Sequence, residues 1–290
     1  MKVSGFTFVR NAIDLYYPVT EAIRSALPLC DEFIVAAGDS TDATTDLIRA
    51  IDDPRIKIIE TVWDRAQFVG GATNAHQTNI ALNACSGDWA IYVQADEVLH
   101  EDDYDTLRDR MTTYLDDRRV DGLLFEYRHF FADYNHYMDC HPWYRREVRL
   151  VRNHTGVQSW HSAQGFRRGK TKIQVVPADA RIHHYGWVRP PLQMSNKTRA
   201  LATVHIGAAA AAKQHPSGAY DYGRLFGRVP FEGTHPAVMK DRVAECDWQV
   251  RPTPTRRRHD RVANRIHSWI ENNVLGFRVG EHRNYVLIPS

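Results

Sequence analysis

The chain has little of what marks the specialised classes of protein. Its four cysteines, Cys30, Cys85, Cys140 and Cys246, lie far apart with no Cys-x-x-Cys among them. They predict reduced thiols in a reducing compartment, neither a disulfide framework nor a zinc knuckle. Cys30, Cys85 and Cys140 are evenly spaced, but their flanking residues do not match, so no repeat is read. No apolar run is long enough to cross a bilayer. The N-terminal apolar stretch is broken by Ser4, Thr7 and Arg10, which argues against a signal peptide. A soluble, cytoplasmic protein with at most peripheral membrane contact is expected. Charge of one sign is also missing: 37 basic against 35 acidic side chains leave a formal charge of +2. That excludes a strongly cationic nucleic-acid sponge. Neither Gly-x-Gly-x-x-Gly nor Gly-x-x-x-x-Gly-Lys-Ser/Thr occurs, so a Rossmann dinucleotide site and a P-loop are unsupported. What remains, at 43% hydrophobic and 25% charged over 290 residues, is a globular composition with ample material for a core.

Two kinds of segment alternate over the first 130 residues. Strand-type runs occur at Val3–Val9, Glu32–Ala37, Arg55–Glu60, Trp89–Val93 and Gly122–Tyr127. Helix-type stretches fall near Val19–Leu27, Ala43–Ile51, Ala72–Ala84 and Asp103–Leu115, most clearly where Ala22, Ile23, Ala26 and Leu27 share one face. Such alternation predicts β-α-β units and a mostly parallel sheet covered by helices on both sides. Beyond residue 130, strand-like runs are expected at Val148–Val151, Lys172–Val176 and Arg181–Tyr185. A helix should follow from about Pro191 to Ala212, then a loop over Lys213–Pro236. A last helix is expected near His259–Asn273, ending at Gly276. We therefore expect an α/β domain over residues 1–212 and an extension over 213–290 packed on it or belonging to it.

Ligands of parallel α/β sheets bind outside the carboxyl ends of the strands, and the polar clusters of this sequence fall there. Gln94-Ala95-Asp96-Glu97 follows a buried-strand run, and carboxylates suit a hard divalent cation; taken alone, the cluster is better read as Asp96 capping the N-terminus of a following helix. Asp39-Ser40-Thr41-Asp42 follows Phe33–Ala37 and suits either a nucleoside or a capped helix start. His184, in His183-His184-Tyr185-Gly186-Trp187, is a metal-ligand candidate or an ordinary core histidine. The belt from His141 to Arg149 offers aromatic faces and arginines for a sugar or phosphate, or covers a sheet edge. Arg251–Arg261 could meet nucleic acid or an anionic lipid surface, or simply be solvated.

Taken in order, Phe8-Val9-Arg10-Asn11, Gly38-Asp39-Ser40-Thr41-Asp42 and Gly87-Asp88-Trp89 leading into Gln94-Ala95-Asp96-Glu97 resemble the family-2 glycosyltransferases of the GT-A fold. The resemblance continues through Trp143–Arg149, His184-Tyr185-Gly186-Trp187 with Lys197, and Phe231–Pro236. These later motifs resemble a bacterial branch known mostly from sequence. The resemblance implies a Rossmann-like α/β sheet, a nucleotide-sugar donor (usually a UDP-sugar), Mn²⁺ or Mg²⁺, and inversion at the anomeric carbon. It places Arg10 and Asn11 against the nucleotide, Asp39 at the base, and Ser40 and Asp42 around the same pocket. Gln77, Asn79, Gln94, Ala95 and Lys197 join them as donor-site candidates. Asp96 would be the last acid of Asp-x-Asp and, with His184, a metal ligand. The first acid of that motif is Gln94 here, which brings no charge.

Displacement at the sugar carbon needs a base for the acceptor hydroxyl, which a glycan, a lipid-linked or another alcohol would supply. Glu147 leads, with Asp139 and Glu97 as alternatives. Trp143, Tyr144 and Arg145 are the acceptor-site candidates. Two rival readings are a nucleic-acid-binding or -modifying protein, disfavoured by the small net charge, and a GT-A relative that binds a nucleotide sugar without turning it over.

Overall fold

Alternation of strand and helix builds the expected units in the first part of the chain. Strands β1 (Val3–Val9), β2 (Glu32–Ala37), β3 (Ile56–Glu60) and β4 (Trp89–Tyr92) run parallel in the order β3-β2-β1-β4. In the computed structural model, which describes residues 1–281 and 283–289, β2 and β4 are buried along their whole length and β1 nearly so. Burial on both faces is why these strands read as continuous apolar runs. Alternate side chains feed two cores: Val35 and Ile91 face one layer, Ile34 and Tyr92 the other.

The intervening helices are α1 (Val19–Ala26), α2 (Thr44–Arg49), α3 (Ala72–Asn83) and α4 (Tyr104–Thr113). α1 buries Val19, Ala22, Ile23 and Ala26, the i, i+3, i+4, i+7 stripe of an amphipathic helix. Fully burying side chains such as Val19 and Ile23 contributes about 1.5–3 kcal/mol each. α3 differs: its buried residues include Thr73, Asn74, Gln77 and Thr78.

The sheet then turns mixed. The additional strands are β5 (Glu97–Leu99), β6 (Gly122–Phe131), β7 (His136–Met138), β8 (Arg146–Arg152), β9 (Val157–Trp160), β10 (Gly165–Arg168) and β11 (Thr171–Trp187). From β4 the order continues through β8, β6, β11, β10 and β9. β8 lies antiparallel between β4 and β6, while β6 and β11 are parallel. Asp96 leads into β5, not into a helix, which removes the N-cap reading of that residue. The two short runs expected at 172–176 and 181–185 are one strand, irregular between Pro177 and Arg181 and again between His184 and Trp187. The second irregularity bends the strand at the site described below, a common use of a bulge.

The helix expected at 191–212 is two helices, α5 (Pro191–Ile206) and α6 (Ala208–Gln214), parted by Gly207 at φ 79°. Such a φ interrupts helical geometry, and glycine adopts it without steric cost. The chain continues through β12 (Arg228–Pro230), α7 (Lys240–Ala244), α8 (Val262–Ile270) and β13 (Tyr285–Leu287). β12 pairs with β7, inside the stretch expected as loop, and β13 pairs with β11. Among the described residues no helix is long and apolar enough to cross a membrane.

Candidate active site

A cavity of about 1000 Å³ opens at the carboxyl ends of β1 and β4. Its walls come from Arg10 and Asn11, Gln94–Asp96, His129, Trp143, Tyr144, Glu147, His184, Lys197 and the C-terminal residues Arg278–Glu281. That is room for a nucleotide sugar with an acceptor beside it.

Asp96 sits at the centre of one end. It is only 5% exposed, and two basic side chains and an imidazole face it. Lys197 Nζ donates to Oδ2 at 2.9 Å, Arg189 Nη2 stands 3.5 Å from the same oxygen, and His184 Nε2 lies 3.7 Å from Oδ1. Burial alone would raise the Asp96 pKa, but the charges of Lys197 and Arg189 outweigh it and hold the carboxyl below the usual carboxylate range. Burial in turn pushes the Lys197 ammonium down to about 8, with Arg189 adding to the shift and Asp96 opposing it. Gly186 is required here: a Cβ would collide with the His184 ring and crowd Asp96 Oδ2.

Hydrogen bonding fixes the tautomer of His184. The carbonyl of Tyr144 can only accept, so His129 Nε2, 2.8 Å away, donates to it. Burial pushes His129 down to about 4 and His184 well below its ordinary value, so both rings are neutral at pH 7. His129 Nδ1 then accepts from His184 Nδ1 at 2.8 Å. That leaves the Nε2 lone pair of His184 facing the Asp96 carboxylate, acceptor against acceptor, with no proton between them. Such a pair is the donor set a divalent cation satisfies, and a ligating histidine commonly has its other nitrogen tied to a further group. Among the described residues no cluster of three or more His, Cys, Asp or Glu side chains could hold an ion by itself. The residues present thus fit two ligands of a metal that draws the rest from elsewhere.

Glu147 lines the same cavity from β8. Burial raises its carboxyl to about 7, against the opposing pull of Arg149. Among the described residues no cation lies within ion-pair distance of it, because the neighbouring arginines are engaged elsewhere. Arg149 clasps Glu97 with two bonds of 2.7 and 2.8 Å, and Tyr127 Oη donates to Glu97 at 2.8 Å. Glu97 is fully buried and lines no part of the cavity, so its carboxylate is a structural ion-pair partner and cannot meet an acceptor hydroxyl. Asp139 is likewise held, by Arg145 and Arg278 at 2.9 Å each, and stands outside the cavity lining. Arg145 spends its guanidinium on Asp139 and Asn272, so it does not reach the acceptor space expected of it. Trp143 and Tyr144 do line the cavity.

The candidates from the first three strands and α3 divide. Arg10 and Asn11 line the cavity; Arg10 pairs with Asp39 at 3.1 Å and its guanidinium lies 5.5 Å from the Trp63 ring centre. Asp39 also accepts from the backbone N–H of Trp63 at 3.2 Å. Ser40 and Asp42 do not face the cavity. Ser40 Oγ accepts from Asn11 N–H, and Asp42 accepts from the N–H groups of Ile13 and Asp14. They hold the turn in which Asn11 takes φ 53°. Gln77 accepts from Thr61 Oγ1 at 2.6 Å and Asn79 from the N–H of Ser159 at 2.7 Å, so both brace α3, and Asn74 is the α3 residue at the cavity. Gln94 and Ala95 line it, with the Gln94 amide donating to the Ala163 carbonyl at 3.0 Å.

Sequence reading missed His129, Arg189 and Trp63. No motif marks them; each matters through a partner distant in the chain. For Arg189, the nearness of Pro190 to the end of a strand-like run was the sole signal.

The model of the family described as "Glycosyl transferase family 2" matches residues 9–172. The succinoglycan biosynthesis protein ExoO of Rhizobium meliloti is 35% identical over 104 residues, 35% of this chain. The matched stretch spans 28% of that relative's length. Among solved structures, S. aureus TarS in complex with UDP-GlcNAc shares 14% identity, over 73% of this chain and 70% of that one, at a TM-score of 0.41. Glucosyl-3-phosphoglycerate synthase from Mycobacterium tuberculosis, in complex with Mn²⁺, UDP and phosphoglyceric acid, shares 20% identity over 45% of this chain and 43% of that one, at 0.30. The family match covers more than half of the chain and agrees with the α/β architecture of the GT-A type. The chain belongs to glycosyl transferase family 2.

Proposed function

We propose that the protein moves a sugar from a nucleotide-sugar donor of the UDP class to an acceptor hydroxyl, with inversion at the anomeric carbon and with Mn²⁺ or Mg²⁺ as cofactor. One observation carries the reading: a single cavity holds the Asp96–His184 pair among basic side chains and, on another wall, a half-buried carboxyl poised near neutrality.

The donor's diphosphate belongs at the Asp96 end. Lys197 and Arg189 outnumber the one carboxylate there, so the end favours an anion before any ion is counted. Asp96 and His184 would hold the cofactor, which when bound supplies positive charge to the departing diphosphate. Arg10, resting against Trp63 and Asp39, flanks the nucleoside end. Across the sugar, Glu147 takes the proton of the acceptor hydroxyl as that oxygen bonds to C1 and the bond from C1 to the phosphate oxygen breaks. A base with a pKa near 7 is free enough to accept a proton and basic enough to take it. Trp143 and Tyr144 offer aromatic faces to the acceptor.

The test is a melting screen with UDP, GDP, CDP and their sugars, with and without Mn²⁺, followed by product analysis with glycan and alcohol acceptors. A metal-dependent rise in Tm with uridine nucleotides and an inverted glycoside product are expected. Tight nucleotide binding without turnover of any sugar would instead favour a non-catalytic relative.

A further inference from the structure

We propose that α8 and the turn after it form the surface by which this protein lies on an anionic lipid bilayer, beside the mouth of the cavity. The large apolar side chains Val262, Ile266, Trp269, Val274, Phe277 and Val279 are all exposed, Trp269 at 62% and Val274 at 65%. The first three follow i, i+4, i+7 and so form one outward stripe on α8. This is not a frayed end. His141 N–H donates to Ser268 Oγ at 3.0 Å, and Arg278 donates to Asp139 at 2.9 Å, so the segment is bolted to the body with its apolar side outward.

Charge selects the occupant. Arg256, Arg261 and Arg265 are exposed around the stripe, and the one acid between positions 251 and 270, Asp260, is buried. A second copy of this chain would set arginine against arginine with no exposed acid in the segment to match. Nucleic acid would answer the arginines and could stack on Trp269 and Phe277, but would leave the aliphatic Val262, Ile266, Val274 and Val279 in water. An anionic bilayer answers both: the headgroups take the arginines, and the interface takes the apolar stripe with its tryptophan. The surface is continuous with the cavity, whose lining includes Arg258, Val279 and Glu281. On the glycosyltransferase reading above, on which this last step rests, the acceptor hydroxyl is then carried by a lipid and reaches Glu147 from the membrane side.

Flotation of the full chain with vesicles of phosphatidylcholine and phosphatidylglycerol at 3:1, against phosphatidylcholine alone, tests the surface. Binding to the anionic vesicles that weakens with salt is expected, with a loss of about tenfold or more in the double variants Trp269→Ser/Phe277→Ser and Arg256→Glu/Arg261→Glu. Unchanged melting of these exposed-site variants shows that they fold. Absence of vesicle binding at low salt, equal binding by the variants, or a dimer abolished by Trp269→Ser/Phe277→Ser would overturn the proposal. Asp96→Asn should float like the wild type. Vesicle binding without turnover of any nucleotide sugar would therefore refute the transferase reading and leave the membrane surface standing.

Discussion

The two walls of the cavity are built by different means. The wall from β1 is a strand-to-helix turn braced by the turn after β2, about thirty positions away, as Asn11 is by Ser40 and Thr41. The wall from the β4–β5 turn, β6, β8, β11 and α5 gathers residues that lie far apart in the chain: Asp96 meets Lys197, His184 meets His129, and Arg145 meets Glu281. The first wall is polar, partly exposed and held by backbone N–H groups. The second is buried, and there burial shifts Glu147, His129, His184 and Lys197 from their ordinary titration ranges. Perturbed groups concentrate where water is excluded and charges face one another, which is also where chemistry gains most. On the function proposed above, recognition of the donor falls mainly to the first wall and reactivity to the second, and substitutions should separate the two.

The largest effect should follow Asp96→Asn. It keeps the shape but removes the charge that answers Lys197 and Arg189 and one proposed ligand of the cation. A drop in turnover of about 10³-fold or more is expected, the scale of losing a group that stabilises transition-state charge. Initial rates over a Mn²⁺ titration check it, and near-normal rates would move the centre of reactivity off the second wall. Glu147→Gln should come next, lowering kcat by about 10²–10⁴-fold with little change in donor affinity. In the wild type, kcat/KM should rise with pH through about 7 as Glu147 ionises, and this limb should vanish in the variant. Stability carries the opposite sign. The folded chain keeps the proton up to about pH 7, the unfolded chain only to about 4.3. Between those values the folded state binds more protons, so this contribution to stability is complete below the lower value and lost as pH rises through the upper. Glu147→Gln should therefore raise Tm relative to wild type at pH 8 more than at pH 5.

His129→Phe probes the same wall at one remove. It deletes the acceptor that turns the His184 Nε2 lone pair toward Asp96, and should weaken Mn²⁺ affinity by about 10–100-fold. Titration of Mn²⁺ binding by calorimetry in the presence of UDP separates this from a general loss of fold, which would remove nucleotide binding as well.

What could be read from sequence follows the same division. β1, β2, α1 and the turns at 38–42 and 94–97 were legible because apolar periodicity and strand-end polarity are local signals. The family motifs lie largely in that part too, so the architecture and the place of Asp96 at a strand end beside the cavity were visible. Glu147 was named from a belt of aromatic and basic residues, but its exposure to the cavity depended on where Arg145 and Arg149 went. Those arginines pair with Asp139 and Glu97, choices made by strand pairing between β4, β8 and β6. Gln77 and Ser40 misled for a related reason. A polar side chain near a strand end is needed as often to satisfy backbone donors of a buried turn as to touch a ligand.

The smallest effect, and the sharpest check on the contrast between walls, should come from Ser40→Ala. The hydroxyl accepts the N–H of Asn11 at 3.0 Å, and Asn11 sits at φ 53°, a conformation that costs an L-residue energy unless its surroundings hold it. Losing one such bond removes about 0.5–1.5 kcal/mol of stability, here concentrated in the turn, because Asn11 also donates to Thr41 and accepts from its N–H. The turn should loosen without unfolding, displacing Arg10 and the nucleoside end of the cavity. Donor KM should therefore rise a few-fold while kcat stays near the wild-type value, since Asp96, His184 and Glu147 are held from other strands. A matching fall in kcat would mean that the two walls act as one unit and that the strain at Asn11 is felt as far as the metal pair.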